Sequence, residues 1–148
     1  MKLSTKGRYG LRAMVALAMN SSGEHVALSH VAEREGLSLQ YLEQVFSTLR
    51  KAGLVKSVKG AGGGYTLAQD SSMITAGTVL RAMEGDLSIA GKLKDDGVEA
   101  TVIEQCIRES LWDRIDESIV AIIDEVTLKE LADESKKMNA EKTLMFYI

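Results

Sequence analysis

Apolar residues recur at helical spacing from Leu39 through Leu42, Val45, Phe46 and Leu49, one face of a 3.6-residue repeat. The opposite face is polar: Gln40, Tyr41, Glu43, Gln44, Ser47, Arg50 and Lys51. Gly36-Leu37-Ser38 precedes this helix as a turn that ends in an N-cap, and Gly53 follows it with the positive-φ option that closes helices. Two short β-type runs come next, Leu54 to Val58 and Tyr65 to Leu67. Between them lies Lys59-Gly60-Ala61-Gly62-Gly63-Gly64, a stretch that offers nothing to a packed core and reads as a hairpin tip. A polar-faced helix followed by a basic, glycine-tipped hairpin is the arrangement by which a winged helix addresses DNA. The helix enters the major groove and the hairpin lies along the backbone.

The same periodicity organises the rest of the chain. Thr5 is placed to cap a first helix from about Lys6 to Asn20, with Leu11, Met14, Val15, Leu17 and Ala18 as its core stripe and Asn20-Ser21-Ser22-Gly23 as its break. His25-Val26-Ala27-Leu28 reads as a short extended entry. Ser29 to Glu35 forms a second helix with Val31 and Ala32 inward. Two helices joined by a short glycine turn make a helix-turn-helix. After a loop at Gln69-Asp70-Ser71-Ser72, Thr75 caps a fourth helix through Met83, stopped by Gly85-Asp86. Asp96 and Glu99 resemble a capping box. From there Val98, Val102, Cys106 or Ile107, Leu111, Ile115, Ile119, Ile122 and Val126 recur every three or four residues. A helix over that run has roughly 28 residues and a length on the order of 40 Å. It outruns so small a domain, and a second copy is the simplest partner for its stripe. Thr127-Leu128-Lys129-Glu130 opens a last helix to about Lys137, and the tail ends Thr143-Leu144-Met145-Phe146-Tyr147-Ile148. The expected fold is mainly α with a small β-hairpin wing: a winged helix-turn-helix over 1–85, a linker over 86–97, and a dimerisation helix, short C-terminal helix and tail over 98–148. Val102, Leu111, Ile115, Ile119 and Ile122 are the expected dimer contacts.

Composition sharpens this picture. The net charge of −3 over 148 residues conceals a split. Residues 1–85 hold ten Lys and Arg against six Asp and Glu, whereas residues 86–148 hold eight against fifteen. A basic half suits a polyanion and an acidic half does not. No apolar run approaches the roughly 18 residues of a membrane span, and Met1 to Thr5 lack a signal-peptide core. A single Cys excludes an intrachain disulfide framework, so a cytoplasmic protein is expected. No paired carboxylates, nucleophile–base pair or metal set stands at meaningful spacing, so no enzyme is expected. His25 and His30 read as ordinary surface or satisfied side chains.

With these residues in hand, the chain resembles the Rrf2 family of bacterial winged-helix repressors. The likeness rests on Met1-Lys2-Leu3-Ser4-Thr5-Lys6-Gly7-Arg8-Tyr9, Tyr41-Leu42-Glu43-Gln44, Leu49-Arg50-Lys51-Ala52-Gly53-Leu54-Val55 and Gly60-Ala61-Gly62-Gly63-Gly64-Tyr65, and it spans nearly the whole chain. It implies that Ser38, Gln40, Tyr41, Glu43 and Gln44 face the major groove, and that Lys59 stands at the wing tip with Gly60 and Gly62. Glu43 can accept from a cytosine amino group, and Gln40 or Gln44 can pair an adenine edge. Lys6, Tyr9, Arg50, Lys51 and Lys56 would serve phosphates, which position without specifying. The DNA partner implied is a palindromic operator gripped by a homodimer.

Cluster-binding members of that family use three Cys and a further ligand, often His, before the dimer helix. Cys106-Ile107-Arg108-Glu109-Ser110-Leu111-Trp112 matches only the end of that pattern, with Glu109 where His is expected. One Cys per chain cannot hold an iron–sulfur cluster, so no cofactor is expected. Cys106 itself has two readings: a small hydrophobe on the stripe, or a redox-responsive thiol, which needs exposure and thiolate character. The tail also has two. It packs against the dimer helix, or its free end is captured by a partner. The resemblance is nearest to the family's cysteine-metabolism branch, whose partner is the cysteine synthase that condenses O-acetylserine with sulfide and binds peptides ending in Ile. This implies that Phe146, Tyr147 and Ile148 contact that enzyme, with Ile148 in its active site. The alternatives are a thiol-sensing repressor working through Cys106, and a synthase-binding protein with no DNA role.

Overall fold

The computed structural model describes residues 2–20, 24–91 and 99–147. Helix α1 (Thr5–Met19) starts one residue before the expected point. Ser4, not Thr5, is the N-cap, and its Oγ accepts from the Gly7 N–H at 3.2 Å. A tertiary contact makes the choice: the Ser4 N–H and hydroxyl both reach the Glu84 carboxylate, the former at 2.9 Å. Helix α2 (Leu28–Glu35) takes in Leu28, which the pattern had placed in the extended entry. Only Val26 keeps strand character, exchanging backbone hydrogen bonds with Tyr65 at 2.8 and 2.9 Å.

Gly36 closes α2 at φ 64°, and Ser38 caps α3 (Leu39–Lys51) by accepting from the Tyr41 N–H at 3.3 Å. At the other end of α3, Gly53 (φ 77°) donates to the Arg50 carbonyl and Leu54 to the Leu49 carbonyl, both at 3.0 Å. This is a Schellman motif, which uses two carbonyls that the helix end would otherwise leave bare. The motif takes Leu54 into the core, so β1 (Val55–Val58) begins one residue later than expected, and it pairs antiparallel with β2 (Gly64–Leu67). Gly64 must be glycine, because a Cβ there would collide with the Val26 carbonyl.

Met14, Leu17, Val31, Leu42, Val45, Phe46, Leu49, Ile74 and Val79 form one core, in which the Phe46 ring rests 4.9 Å from that of Tyr65. Leu39, expected on the buried stripe, is 41% exposed. The first turn of α3 projects past the core, so the sequence repeat runs one turn further than the packing. Helix α4 (Ala76–Glu84), capped by Thr75 as expected, crosses α1 where Gly7 and Gly10 leave room for Glu84 and Met83.

The long helix differs most from expectation. It starts at Val102, where Thr101 and Glu104 form the capping box with bonds of 3.2 and 3.0 Å. Glu99 is not helical, and Asp96 and Val98 lie outside the described residues. Helix α5 (Val102–Ile107) runs through a π-helical turn, Arg108–Trp112, into α6 (Asp113–Ile123). The 22 residues from Val102 to Ile123 give a rod about 33 Å long. A π-turn accommodates an extra residue, which rotates the stripe before it against the stripe after it by about 100°.

Side-chain bonds at Asp116 and Asp124 hold this rod to the winged helix, and just past its end the Ala76 N–H donates to the Val126 carbonyl at 2.8 Å. Asp116 accepts from the Ser88 hydroxyl and the Ile89 N–H, both at 2.9 Å. Asp124 receives both nitrogens of the Arg81 fork at 2.6 and 2.9 Å, beside Gly77, where a Cβ would strike its carboxylate. The Arg81 hydrogen bond holds the Asp124 carboxyl below its ordinary range. The pair is therefore intact above the usual aspartate pKa of about 3.9 and is lost only as pH falls through the depressed folded-state value.

Helix α7 (Leu128–Phe146) is 19 residues long and does not stop near Lys137. The segment 138–146 contains no Gly or Pro to end it. Leu128 and Ala132 enter the winged-helix core, so α7 returns to α1. No helix among the described residues is long and apolar enough to cross a membrane.

Candidate nucleic-acid interface

Gln40, Glu43 and Gln44 stand exposed on one face of α3, at the i, i+3, i+4 spacing that stacks side chains along a helix. The opposite face, Leu42, Val45, Phe46 and Leu49, is fully buried and fixes the helix's rotation. Arg50 and Lys51 are exposed at its C-terminal end, and Lys56 and Lys59 on the hairpin. From Gly36 to Leu67 the chain carries four cations and one carboxylate, Glu43. The turn 59–63 contains Gly60 at φ 104° and Gly62 at φ 80°, and is closed by the Gly63 N–H on the Gly60 carbonyl at 2.9 Å.

Some expected contacts have a second occupation. The Ser38 hydroxyl is the cap of α3. Tyr9 and Tyr41 are half-buried against each other edge to face, with ring centroids 5.7 Å apart, and the Arg12 guanidinium lies 5.5 Å from the Tyr9 ring. Together they brace α1 against α3 and leave only part of each ring free. Lys6, at the start of α1, is half-buried. Arg12 also donates to the Glu35 carbonyl at 2.8 Å and pairs with its carboxylate at 3.4 Å. The His25 Nε2 meets the Gly62 carbonyl, so the loop before α2 touches the wing tip. No local signal in the sequence could have located that contact, because 37 residues separate the partners.

The long helix shows an open apolar face. Val102 is 84% and Ile122 64% exposed, Leu111 is exposed as well, and Ile115 and Ile119 are half-buried. Cys106 is exposed in the single chain, like the stripe residues beside it, with its Sγ 3.8 Å from the Ser110 Oγ. At the chain end, Phe146 is 87% and Tyr147 88% exposed, and both lie clear of the rod. Ile148 lies outside the described residues.

Residues 3–134 match the Rrf2 family model, described as iron-dependent transcriptional regulators. The chain is 40% identical over its whole length to the HTH-type transcriptional regulator CymR of Bacillus subtilis, and covers all of that protein. It is 37% identical to the IscR regulator of Escherichia coli over 94% of this chain and 85% of that one. The solved structure of B. subtilis CymR, the global cysteine regulator of that organism, superposes with a TM-score of 0.78 at 41% identity over 90% of this chain and 98% of that one. The IscR structure from T. potens gives 0.74 at 39% identity, over 93% and 90%. The iron in the family's description finds no matching donors here. Cys106 is the sole thiol in the chain, and among the described residues no three His, Cys, Asp or Glu side chains group as a metal site. An iron–sulfur cluster takes mostly thiolates, so this donor set does not fit one.

Proposed function

This chain belongs to the Rrf2 family of transcriptional regulators, and we propose that it acts as a homodimeric, cytoplasmic repressor of sulfur and cysteine metabolism genes. The observation that carries this is the Gln40, Glu43 and Gln44 face, bare of any core contact and flanked by the Lys59 wing. Full-length likeness to a cysteine regulator supports the gene class. Gln40, Glu43 and Gln44 read base edges, while Arg50, Lys51, Lys56 and Lys59 neutralise phosphates. The chemistry is recognition alone, with no catalytic step. The apolar stripe Val102, Leu111, Ile115, Ile119 and Ile122 pairs with its copy in a second chain and presents two reading helices to a palindrome.

A gel shift on upstream regions of sulfur-metabolism genes tests this. Specific retardation is expected, with log affinity falling against log salt by about 0.9 per phosphate contact. Equal affinity for unrelated duplexes would remove the repressor reading and leave only a protein-interaction module.

The partner on this reading is cysteine synthase. The exposed Leu144, Met145, Phe146 and Tyr147 support capture of the chain end, since a free apolar helix terminus is costly to leave in water. The Ile148 carboxylate would stand in for that of the synthase's amino-acid substrate, and O-acetylserine would displace it. Deleting Ile148 is expected to abolish retention on immobilised synthase while sedimentation still reports a dimer. Undiminished retention refutes the tail contact.

A second reading is favoured by one observation, the exposure of Cys106. A thiol in water can respond to oxidants directly. Stoichiometric titration by a thiol reagent on the native protein is its expected signature, and modification should lower operator affinity. Full modification without loss of DNA binding would dismiss it.

A further inference from the structure

A second face of α1 forms the floor of a cleft of about 410 Å³, walled by α2 on one side and α7 on the other. Its size falls within the range of roughly 300–1,000 Å³ typical of small-molecule sites. No residue assigned above to DNA lines it, nor does any residue of the rod or the tail. The cleft is therefore independent of the repressor reading.

Its lining has two characters. Leu11 and Val15 of α1 and Leu131 of α7 give it an apolar base. Arg8 and Arg34 supply positive charge from α1 and α2, and His30 lines the wall beside them. The lining contains a single carboxylate, Glu35, which Arg12 already holds at 3.4 Å. Among the described residues, Arg8 and Arg34 take part in no ion pair. The cleft thus carries an excess of guanidinium over an apolar base.

We propose that this cleft binds a small organic anion, a carboxylate on a short aliphatic body. Guanidinium forks match a carboxylate bidentately. The apolar base selects a hydrocarbon over a bare inorganic anion, which would leave Leu11, Val15 and Leu131 uncovered. The bound molecule bridges α2, the first helix of the DNA-reading motif, and α7, whose far end carries the exposed aromatic residues. Any preference it has between DNA-bound and free protein must appear equally as a change in DNA affinity, because linkage is reciprocal.

The test uses the full-length protein with hexanoate as probe and 1-hexanol as its uncharged match, read by backbone amide shifts. Hexanoate is expected to move the amides of Leu11, Val15, Val31 and Leu131 saturably and to leave those of the turn 59–63 in place. Hexanol should bind at least about tenfold more weakly, the equivalent of one charge-assisted contact. The double variant Arg8→Gln, Arg34→Gln should lose hexanoate affinity by about tenfold or more while operator affinity stays within about twofold. Ser135→Trp, which fills the cleft from α7 without touching a cation, should block the probe by bulk alone. Equal binding of hexanol and hexanoate overturns the proposal, as do shifts confined to other surfaces. It is likewise overturned if the double variant loses DNA affinity but keeps hexanoate, which would assign both arginines to phosphates.

Discussion

Replacing Gln40, Glu43 and Gln44 together by Ala is expected to erase discrimination between operator and unrelated DNA while leaving the fold standing. Each well-formed contact to a base edge is worth about 1–3 kcal/mol of discrimination, so three such contacts supply about 3–9 kcal/mol if they add. That covers most of the gap of about 4–10 kcal/mol between specific and non-specific binding. The folded state should hardly notice. All three side chains are exposed, substitutions at such sites usually cost within about 0.5 kcal/mol, and Ala is the strongest helix former. Arg50, Lys51, Lys56 and Lys59 remain, so residual binding should keep its salt dependence. Lys59→Ala should do the opposite, weakening all duplexes alike and lowering the salt slope by about one for each protomer bound. Competition gel shifts at fixed salt, with a circular-dichroism melt beside them, separate the two. A triple variant that still prefers its operator would mean that another surface reads the bases.

The second large effect is expected at the rod. Leu111→Glu with Ile122→Glu places two charges on the face that is open in one copy and, in the proposed dimer, closed by another. Because Ile122 is 64% exposed within the chain, the change spares the protomer's own packing. Burying unpaired carboxylates against an apolar partner is prohibitive, so sedimentation should report a monomer with the helical content of the parent. Losing the tether between two reading heads removes an avidity of about 10²–10⁴, and footprints should shrink or vanish. A double variant that stays dimeric would relocate the interface to another surface.

Helix α3 and the hairpin were legible because their determinants are local. Ser38, Gly36, Gly53 and the glycines of the turn each fix a backbone conformation within three or four residues. The polar face of α3 followed from the period alone. The start of α1 was misjudged by one residue because Ser4 and Thr5 are equivalent in sequence, and only Glu84, 80 positions away, distinguishes them. The long helix starts later than the pattern predicts: Glu99 is not helical, and the Thr101-Glu104 capping box opens the helix at Val102. A π-turn leaves no mark on a three-or-four repeat, which tolerates one residue of slippage. Tyr9 and Tyr41 looked like two separate DNA contacts, and only the crossing of α1 and α3 shows that each is the other's packing partner. Helix α7 runs to Phe146, past the expected end near Lys137, because nothing in 138–146 interrupts a helix. The cleft draws on three helices distant in sequence and could not be read from any one of them.

The attachments at Asp116 and Asp124 make the rod a lever. In the proposed dimer, a tilt of about 10° at those two points, carried along about 33 Å, would displace a reading head by about 6 Å. One base-pair step is about 3.4 Å, so that tilt moves a head by nearly two steps along the groove. Arg81, Ser88 and Gly77 contact no nucleotide in this scheme, yet they set the gearing between the twofold axis and the groove. The stiffness of those few bonds thereby limits how much variation in operator length the protein can tolerate.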